Sequence, residues 1–416
     1  MNFPRMFLAE RKRESPKIED VRQAIVTEIQ KLNLRPKIRP GMRVAVTAGS
    51  RGITDNVLLL ATVVSELKRY GAAPFIIPAM GSHGGATADG QLGVLKALGI
   101  TEETMACPII SQMEVVQLGN TPEGIPVYID KVAAGADGIV VVNRIKPHTD
   151  FKGEIESGLL KMMSIGLGKH KGGYTTHSYT VQLGYQVAIP AVGRSILKSA
   201  PILFGLGVVE NAYDETAIVA AVEPGLFEET EKGLLKKARD FLPRLPFDKM
   251  DILIVNEMGK EISGTGIDTN IIGRVMFVGG PEPEWPKITR IALLDLTDKT
   301  RGSAVGVGLA DFVTRRLVNK IDYPVTYVNC FTAMTPEKGR IPVTGETDKE
   351  AIEWAFQTIG AVEPQDARVV KIKNTLHLDK IYISQSLVKE LESQPDWEIK
   401  EEPYEMRFSK EGTLLL

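Results

Sequence analysis

Three apolar runs each end in a loop marked by glycine or proline, and this repeated ending restricts the fold more than any other feature. RVAVTAG (43–49) runs into SRGITD and then into the helical stretch NVLLLATVVSELKRYG. APFIIPAM (73–80) runs into GSHGGATADG and a helix near Gln91–Leu98. GADGIVVVNRIKPH carries the third run, from about Gly138 to Asn143, straight into a loop. Short β-branched runs bounded by glycine read as strands, and apolar spacing near 3.6 reads as helix. Strands that alternate with helices predict a mainly parallel sheet. Ligands of such sheets bind beyond the carboxyl ends of the strands. Arg51, His83 and His148 each fall just past a predicted strand, so three loops are expected to converge on one crevice.

The rest of the chain extends this pattern. KIEDVRQAIVTEIQKL (17–32) reads as an amphipathic helix, and the polar, proline-bearing ARDFLPRLPFDKM (238–250) reads as a linker. Beyond it the pattern restarts: DILIVNE, ITRIALLDLT and VTYVNC read as strands, ADFVTRRLVNKI and TDKEAIEWAFQTIG as helices. DARVVKIKN and KIYISQSLVKEL add a last strand pair and a helix. At 416 residues the chain exceeds the roughly 250–300 residues at which a single core stops growing. The expectation is an α/β protein of two domains with mainly parallel sheets and an active-site cleft between them. Residues 1–245 would form the N-terminal catalytic and cofactor-binding domain and 250–405 the C-terminal domain. Residues 406–416 would be a tail able to pack back on the N-terminal domain.

Composition removes several function classes. Fifty Lys and Arg against 52 Asp and Glu leave a formal charge of -2 with no basic stripe, which argues against a nucleic-acid partner. The longest apolar runs, such as GIVVVN and VAIPAV, fall far short of the roughly 20 residues of a membrane span. MNFPRMFLAERKRE carries no apolar core followed by a small-residue cleavage site, so no secretory signal is expected. Cys107 and Cys330 form no CxxC pair, which points to a reducing cytoplasm rather than a disulfide framework or a zinc knuckle.

Chemistry concentrates between Lys146 and His177, where KPHTDFKGEIESGLLKMMSIGLGKHKGGYTTH holds three of the five histidines and five lysines. Pro147 keeps the chain extended and presents His148 at its tip. His83 stands among glycines, which allow a ligand close approach and cannot bury an imidazole; this suits an acid/base group or a metal ligand. Arg51, near a helix N-terminus, can grip a carboxylate or phosphate, or equally cap a neighbouring loop. Lys161 is flanked by Leu160 and Met162, so it either snorkels to solvent or works as a poorly solvated amine. His170 and His177 lie seven apart, but Gly172 and Gly173 argue against a continuous helix there. The spacing is not a zinc motif of the HExxH kind.

The ordered set Arg51, GSH ending at His83, KPH ending at His148, a glycine-preceded Lys161 and His177 resembles the nickel-pincer-nucleotide-dependent 2-hydroxyacid racemases and epimerases, typified by lactate racemase. The resemblance spans residues 40–180 and runs more loosely through the second domain. It implies nickel held by a nicotinate-derived pincer mononucleotide, joined as a thioamide to Lys161, with His177 as the remaining nickel ligand. His83 and His148 would be opposed acid/base groups. Arg51 would orient the substrate carboxylate, with Lys260 and Arg274 as further substrate contacts. The partner implied is a small hydroxy acid, with homo-oligomerisation left open. Two departures leave the identity of that acid open. FKGEIESGLLK replaces a glycine-richer run before the lysine, and NEMGKEISGTGIDTNIIGR (256–274) matches the family loop only in part. His170 goes to the surface or the cofactor phosphate, and His377 to a structural role. Two rival readings stand beside this one. In the first, His83, His148 and His177 bind a divalent metal for hydrolase or lyase work; in the second, a non-catalytic protein binds an anionic metabolite.

Overall fold

The computed structural model describes residues 1–12, 15–50, 53–277, 281–400 and 402–415. It divides into two compact units, Ser15–Leu242 and a second made of Met1–Glu14 with Pro243–Leu416. The first strand, β1 (Met6–Arg11), belongs to the second unit. In chain order the strands of the first unit are β2 (Arg43–Ala48), β3 (Ala73–Pro78), β4 (Val115–Asn120), β5 (Pro126–Asp130), β6 (Gly138–Arg144), β7 (Ile202–Glu210) and β8 (Thr216–Val222). Five of them form one sheet in the order β3-β2-β6-β7-β8; β3, β2, β6 and β7 pair in parallel and β8 closes the edge antiparallel. β4 and β5 form a separate antiparallel hairpin.

Alternation along β2, β3 and β6 explains why they read as unbroken apolar runs. Val44, Val46, Ile76, Val140 and Val142 face a layer that includes Ile25 and Ile29 of helix Val21–Gln30 and Leu59 and Val63 of helix Asn56–Arg69. Ala45, Phe75, Ile77, Ile139 and Val141 face the opposite layer, with Leu159, Leu160, Met163, Ala188 and Val192. Strands covered on both faces lose the polar alternation of a half-exposed sheet. Each fully buried aliphatic side chain contributes about 1.5–3 kcal/mol. The scaffold is thereby held by its two layers, and the loops at the carboxyl edge are left to carry polar groups.

After β6 the chain forms a pinched loop, closed where Lys146 and Ser157 exchange backbone hydrogen bonds of 2.8 and 3.3 Å. It then winds through a short helix, Leu159–Lys161, a π-helical segment, Met162–Leu167, and two helices, Lys169–Leu183 and Tyr185–Ser199. Helix Lys169–Leu183 runs unbroken through Gly172 and Gly173, against the sequence expectation. The glycines serve close packing: a Cβ at Gly172 would lie 3.2 Å from Cβ of Tyr128, and one at Gly173 3.5 Å from Ile165. π-Helical segments recur at functional sites because they re-aim side chains within a helix.

The second unit adds β9 (Lys249–Val255), β10 (Lys287–Leu293), β11 (Phe312–Thr314), β12 (Val343–Gly345), β13 (Val369–Ile372), β14 (Lys380–Ser384) and β15 (Trp397–Ile399). Its sheet order is β12-β11-β10-β9-β13-β14-β1-β15, parallel from β12 to β13 and antiparallel beyond. Residues 1–14 and the tail differ from the sequence expectation, which grouped the first with the N-terminal domain and let the second pack there. β1 pairs with β14 and β15. In the tail, Met406, Phe408 and Leu414 pack with Phe3 and Phe356 in the second unit's core. VTYVNC (325–330) is not a strand but part of helix Tyr323–Thr332: Asp322 caps it by accepting the Val325 N–H at 3.0 Å, and Pro324 stands in its first turn. Its buried residues, Thr326 and Cys330, lie four apart, as a helix requires. ADFVTRRLVNKI splits into β11 and a short helix, Arg315–Asn319. No helix among the described residues is long and apolar enough to cross a membrane.

Candidate active site

Parallel pairing of β3, β2 and β6 brings the loops after their carboxyl ends to one edge, as the sequence predicts. Arg51 itself lies outside the described residues. Its neighbour Ser50 is described, and the Ser50 hydroxyl hydrogen-bonds Nδ1 of His83. The His83 loop is fixed from beneath by a buried relay. Lys169, fully buried with a backbone φ of +53°, donates to the Pro78 carbonyl at 2.9 Å and to Oε1 of Gln91 at 2.8 Å. Gln91 passes this on by donating to the carbonyls of Gly81 (2.9 Å) and His83 (3.3 Å). Burial pulls the Lys169 pKa down, and the carboxylate of Asp130, 3.5 Å away and equally buried, opposes that pull. The same loop packs tightly on the helix that follows it: a Cβ at Gly90 would run into the Gly84 carbonyl. Gly90→Ala is therefore expected to displace the His83 loop and destabilise the fold by about 1–3 kcal/mol; thermal unfolding, together with the His83 ring resonances, would read both effects.

The pinched loop after β6 is organised by a buried carboxylate. Glu156, fully buried, accepts the His148 N–H at 2.5 Å on Oε2 and the Gly153 N–H at 3.0 Å on Oε1. Arg239 completes the arrangement with an ion pair to Oε1 at 2.6 Å. A buried carboxylate is tolerated only when paired and hydrogen-bonded, and this one is both. It thereby holds the backbone of His148, whose residue is only 8% exposed. The ring's Nδ1 accepts the Asp150 N–H at 2.9 Å, and Nε2 lies 2.6 Å from Nζ of Lys161.

Lys161 arrives there from the short helix Leu159–Lys161. The capping group of that helix is Glu231, a buried carboxyl from helix Phe227–Phe241 that accepts the Leu160 N–H at 3.0 Å. Burial pushes the Glu231 pKa up to about 7, against the backbone N–H groups of Leu160 and Leu159, which lower it. Gly158 makes room for this carboxyl, since a Cβ there would collide with it.

Tyr185, 2% exposed, ties the remaining pieces together. Its ring stacks on Phe151 at 4.9 Å, and its centroid lies 5.9 Å from the His148 ring and 6.0 Å from the His177 ring. The structure thus gathers His148, Lys161 and His177 into one neighbourhood. His83 sits on the adjoining loop, whose Gly81 packs against Ile165 of the π-helical segment (3.3 Å to an added Cβ). His170 is exposed, with its ring 6.4 Å from that of Tyr174.

Lys260 and Arg274 belong to the second unit. Lys260 donates through Nζ to Oδ1 of Asn329. The Arg274 guanidinium pairs with Asp311 at 2.9 Å and donates to the carbonyls of Leu309, Ile288 and Thr289, so it is occupied in holding its own unit together. His377 bonds Asn374 Oδ1 at 2.9 Å, a structural contact. Sequence reasoning did not find Tyr185, Glu156, Glu231 or Lys169. The only trace of the two carboxylates was an acidic residue inside a glycine-rich run and another on an amphipathic helix, and neither pattern is distinctive.

Among the described residues, no three His, Cys, Asp or Glu side chains stand close enough to hold a metal ion. A metal placed here would have to bring most of its donors with it. A half-buried imidazole at His177 and an amine at Lys161 fit such a group, the first as a single ligand and the second as a point of covalent attachment.

Residues 5–182 match the family model described as the lactate racemase N-terminal domain. The fold is similar to that of the lactate racemase apoprotein from Thermoanaerobacterium thermosaccharolyticum, with a TM-score of 0.55 at 13% identity, covering 86% of this chain and 92% of that one. No curated protein sequence matches the chain.

Proposed function

We infer, from the match of residues 5–182 to the lactate racemase N-terminal domain, that the chain racemises or epimerises a 2-hydroxy acid. The observation that carries this reading is the placing of Lys161 Nζ 2.6 Å from His148 Nε2, with His177 around the same tyrosine. A nickel-pincer mononucleotide would be held by Lys161 and His177. When bound, it would supply the hydride acceptor and donor that inversion at a hydroxyl-bearing carbon needs.

The chain's own residues do the rest. His148 and His83 move the hydroxyl proton, one for each enantiomer, because the two enantiomers present their hydroxyls on different sides. The Asp150 N–H on Nδ1 of His148 and the Ser50 hydroxyl at Nδ1 of His83 orient the two rings. Arg51 is assigned the substrate carboxylate. Tyr185 and Phe151 wall the His148 side and keep water from it. The rival three-histidine hydrolase needs His83, His148 and His177 around one ion, and the described residues form no such trio.

The test is the mass of the intact chain, with peptide mapping, after co-expression with pincer-synthesis enzymes and nickel. An adduct on the Lys161 peptide with about one nickel per chain is expected. An unmodified chain from cells demonstrated to make the cofactor would sink the covalent reading.

A further inference from the structure

Helix Ala88–Ala97 buries two residues, Gln91 and Leu95, four apart on one face. Gln91 is fully buried where a helix ordinarily sets an apolar side chain, so every polar atom of its amide needs a partner. A primary amide offers two N–H donors and one carbonyl acceptor, and all are used. Nε2 donates to the Gly81 carbonyl at 2.9 Å and to the His83 carbonyl at 3.3 Å. Oε1 accepts from Lys169 Nζ at 2.8 Å. The Pro78 carbonyl and the Asp130 carboxylate stand 2.9 and 3.5 Å from the same Nζ. Lys169 is thus ringed by acceptors, and this turns the nitrogen of the Gln91 amide towards the loop.

That loop takes its shape at glycines. Gly81, Gly84 and Gly85 have φ of 61°, 67° and 66°. Glycine leaves the backbone many conformations, so such a loop is fixed by whatever holds its carbonyls. Gln91 holds two of them, one on each side of Ser82. Behind it, Lys169 opens helix Lys169–Leu183, which carries His177. Asp130 ends β5 and accepts the Val132 and Ala133 N–H groups at 2.8 and 3.0 Å. One buried glutamine therefore joins the His83 loop to the His177 helix and to the hairpin.

We propose that Gln91 is a positioning residue for His83: backed by Lys169, it sets where the imidazole stands relative to the helix that carries His177. This rests on the reading above for what His83 does, not for how His83 is held. Proton transfer needs heavy atoms within about 2.6–3.2 Å. A misplacement of about 1 Å can lower a rate about 10²-fold. A glutamine that only filled space would leave turnover unchanged in a folded variant of the same size.

Gln91→Glu is that variant. It keeps the size and an acceptor for Lys169, but turns a carboxylate oxygen on the two loop carbonyls. The first readout uses the full chain without cofactor. The His83 ring resonances are expected to shift as the loop moves and the Ser50 contact at Nδ1 changes, while those of His377 in the second unit stay in place. The second readout uses chain loaded with the pincer and nickel. There kcat per loaded chain is expected to fall about 10–10²-fold while KM stays within about twofold, the pattern of lost transition-state alignment. Gln91→Met, which drops both N–H groups and adds no charge, takes its place if Gln91→Glu does not fold. Unmoved His83 resonances in a folded variant, or full turnover, would overturn the proposal. A loaded parent chain with no turnover on any hydroxy acid would sink the racemase reading instead, and the resonances would still decide how His83 is held.

Discussion

His148→Ala is expected to lower the rate of isomerisation by about 10²–10⁴-fold, the usual worth of a positioned acid or base, while substrate binding is largely kept. His83→Ala is expected to do the same. Both directions of the reaction should suffer in both variants, since each enantiomer needs one histidine as the base and the other as the acid. The geometry gives the argument its force: each imidazole is pinned through Nδ1, by Asp150 or by Ser50, so neither can swing across to replace the other. Rates must be divided by the fraction of chain carrying the adduct, read by intact mass. Calorimetric binding of a hydroxy acid to the same preparations separates the readings. A non-catalytic binding protein has no turnover to lose, and a three-histidine metal enzyme would lose its metal along with its rate. Lys161→Ala is the complementary variant, expected to lose nickel here and to keep it under the metal-hydrolase reading.

The features legible in the sequence were those whose cause is local. The apolar runs of β2, β3 and β6 are legible because burial on both faces writes itself into consecutive residues, and the loops that end β3 and β6 place His83 and His148 on one edge. The order of short motifs then singled out Lys161 and His177. What escaped depends on distant partners. Glu231 meets Leu160 across 71 positions, Arg239 meets Glu156 across 83, and Lys169 meets Gln91 across 78. Nothing near any of these residues announces the pairing. β1 escaped for the same reason: its partners, β14 and β15, lie at the other end of the chain. VTYVNC misled because β-branched and aromatic residues favour strands, whereas the Asp322 cap and the packing of Thr326 and Cys330 decide for helix. Gly172 and Gly173 misled in the opposite sense: glycine weakens an isolated helix by about 1 kcal/mol each, but here its small size lets Tyr128 and Ile165 approach.

Glu231 sets the second large effect, a pH dependence of stability that the isosteric amide should abolish. Its folded pKa is pushed up to about 7 by burial, above the ordinary 4.5. Below pH 4.5 the group is protonated folded or unfolded, and it imposes no penalty. As pH rises from 4.5 towards 7, the unfolded chain releases the proton while the folded chain retains it, so stability falls with pH. Above about 7 both states are ionised and the loss levels off, at about 3 kcal/mol in all. Glu231→Gln cannot ionise and should show no such decline, while its side-chain oxygen still accepts the Leu160 N–H. Denaturant titrations at pH 5 and pH 8 are expected to show the parent chain losing stability relative to Glu231→Gln, and amide exchange at Leu159 and Leu160 should accelerate over the same interval. Parallel pH profiles would show that the carboxyl ionises freely where it sits. Glu231→Ala separates the charge from the cap: it leaves the Leu160 N–H without its acceptor, a cost of about 1–3 kcal/mol at every pH. The same substitution loosens the helix that carries Lys161, so a lower fraction of adduct in Glu231→Ala, but not in Glu231→Gln, would tie the cap to the site rather than to the fold alone.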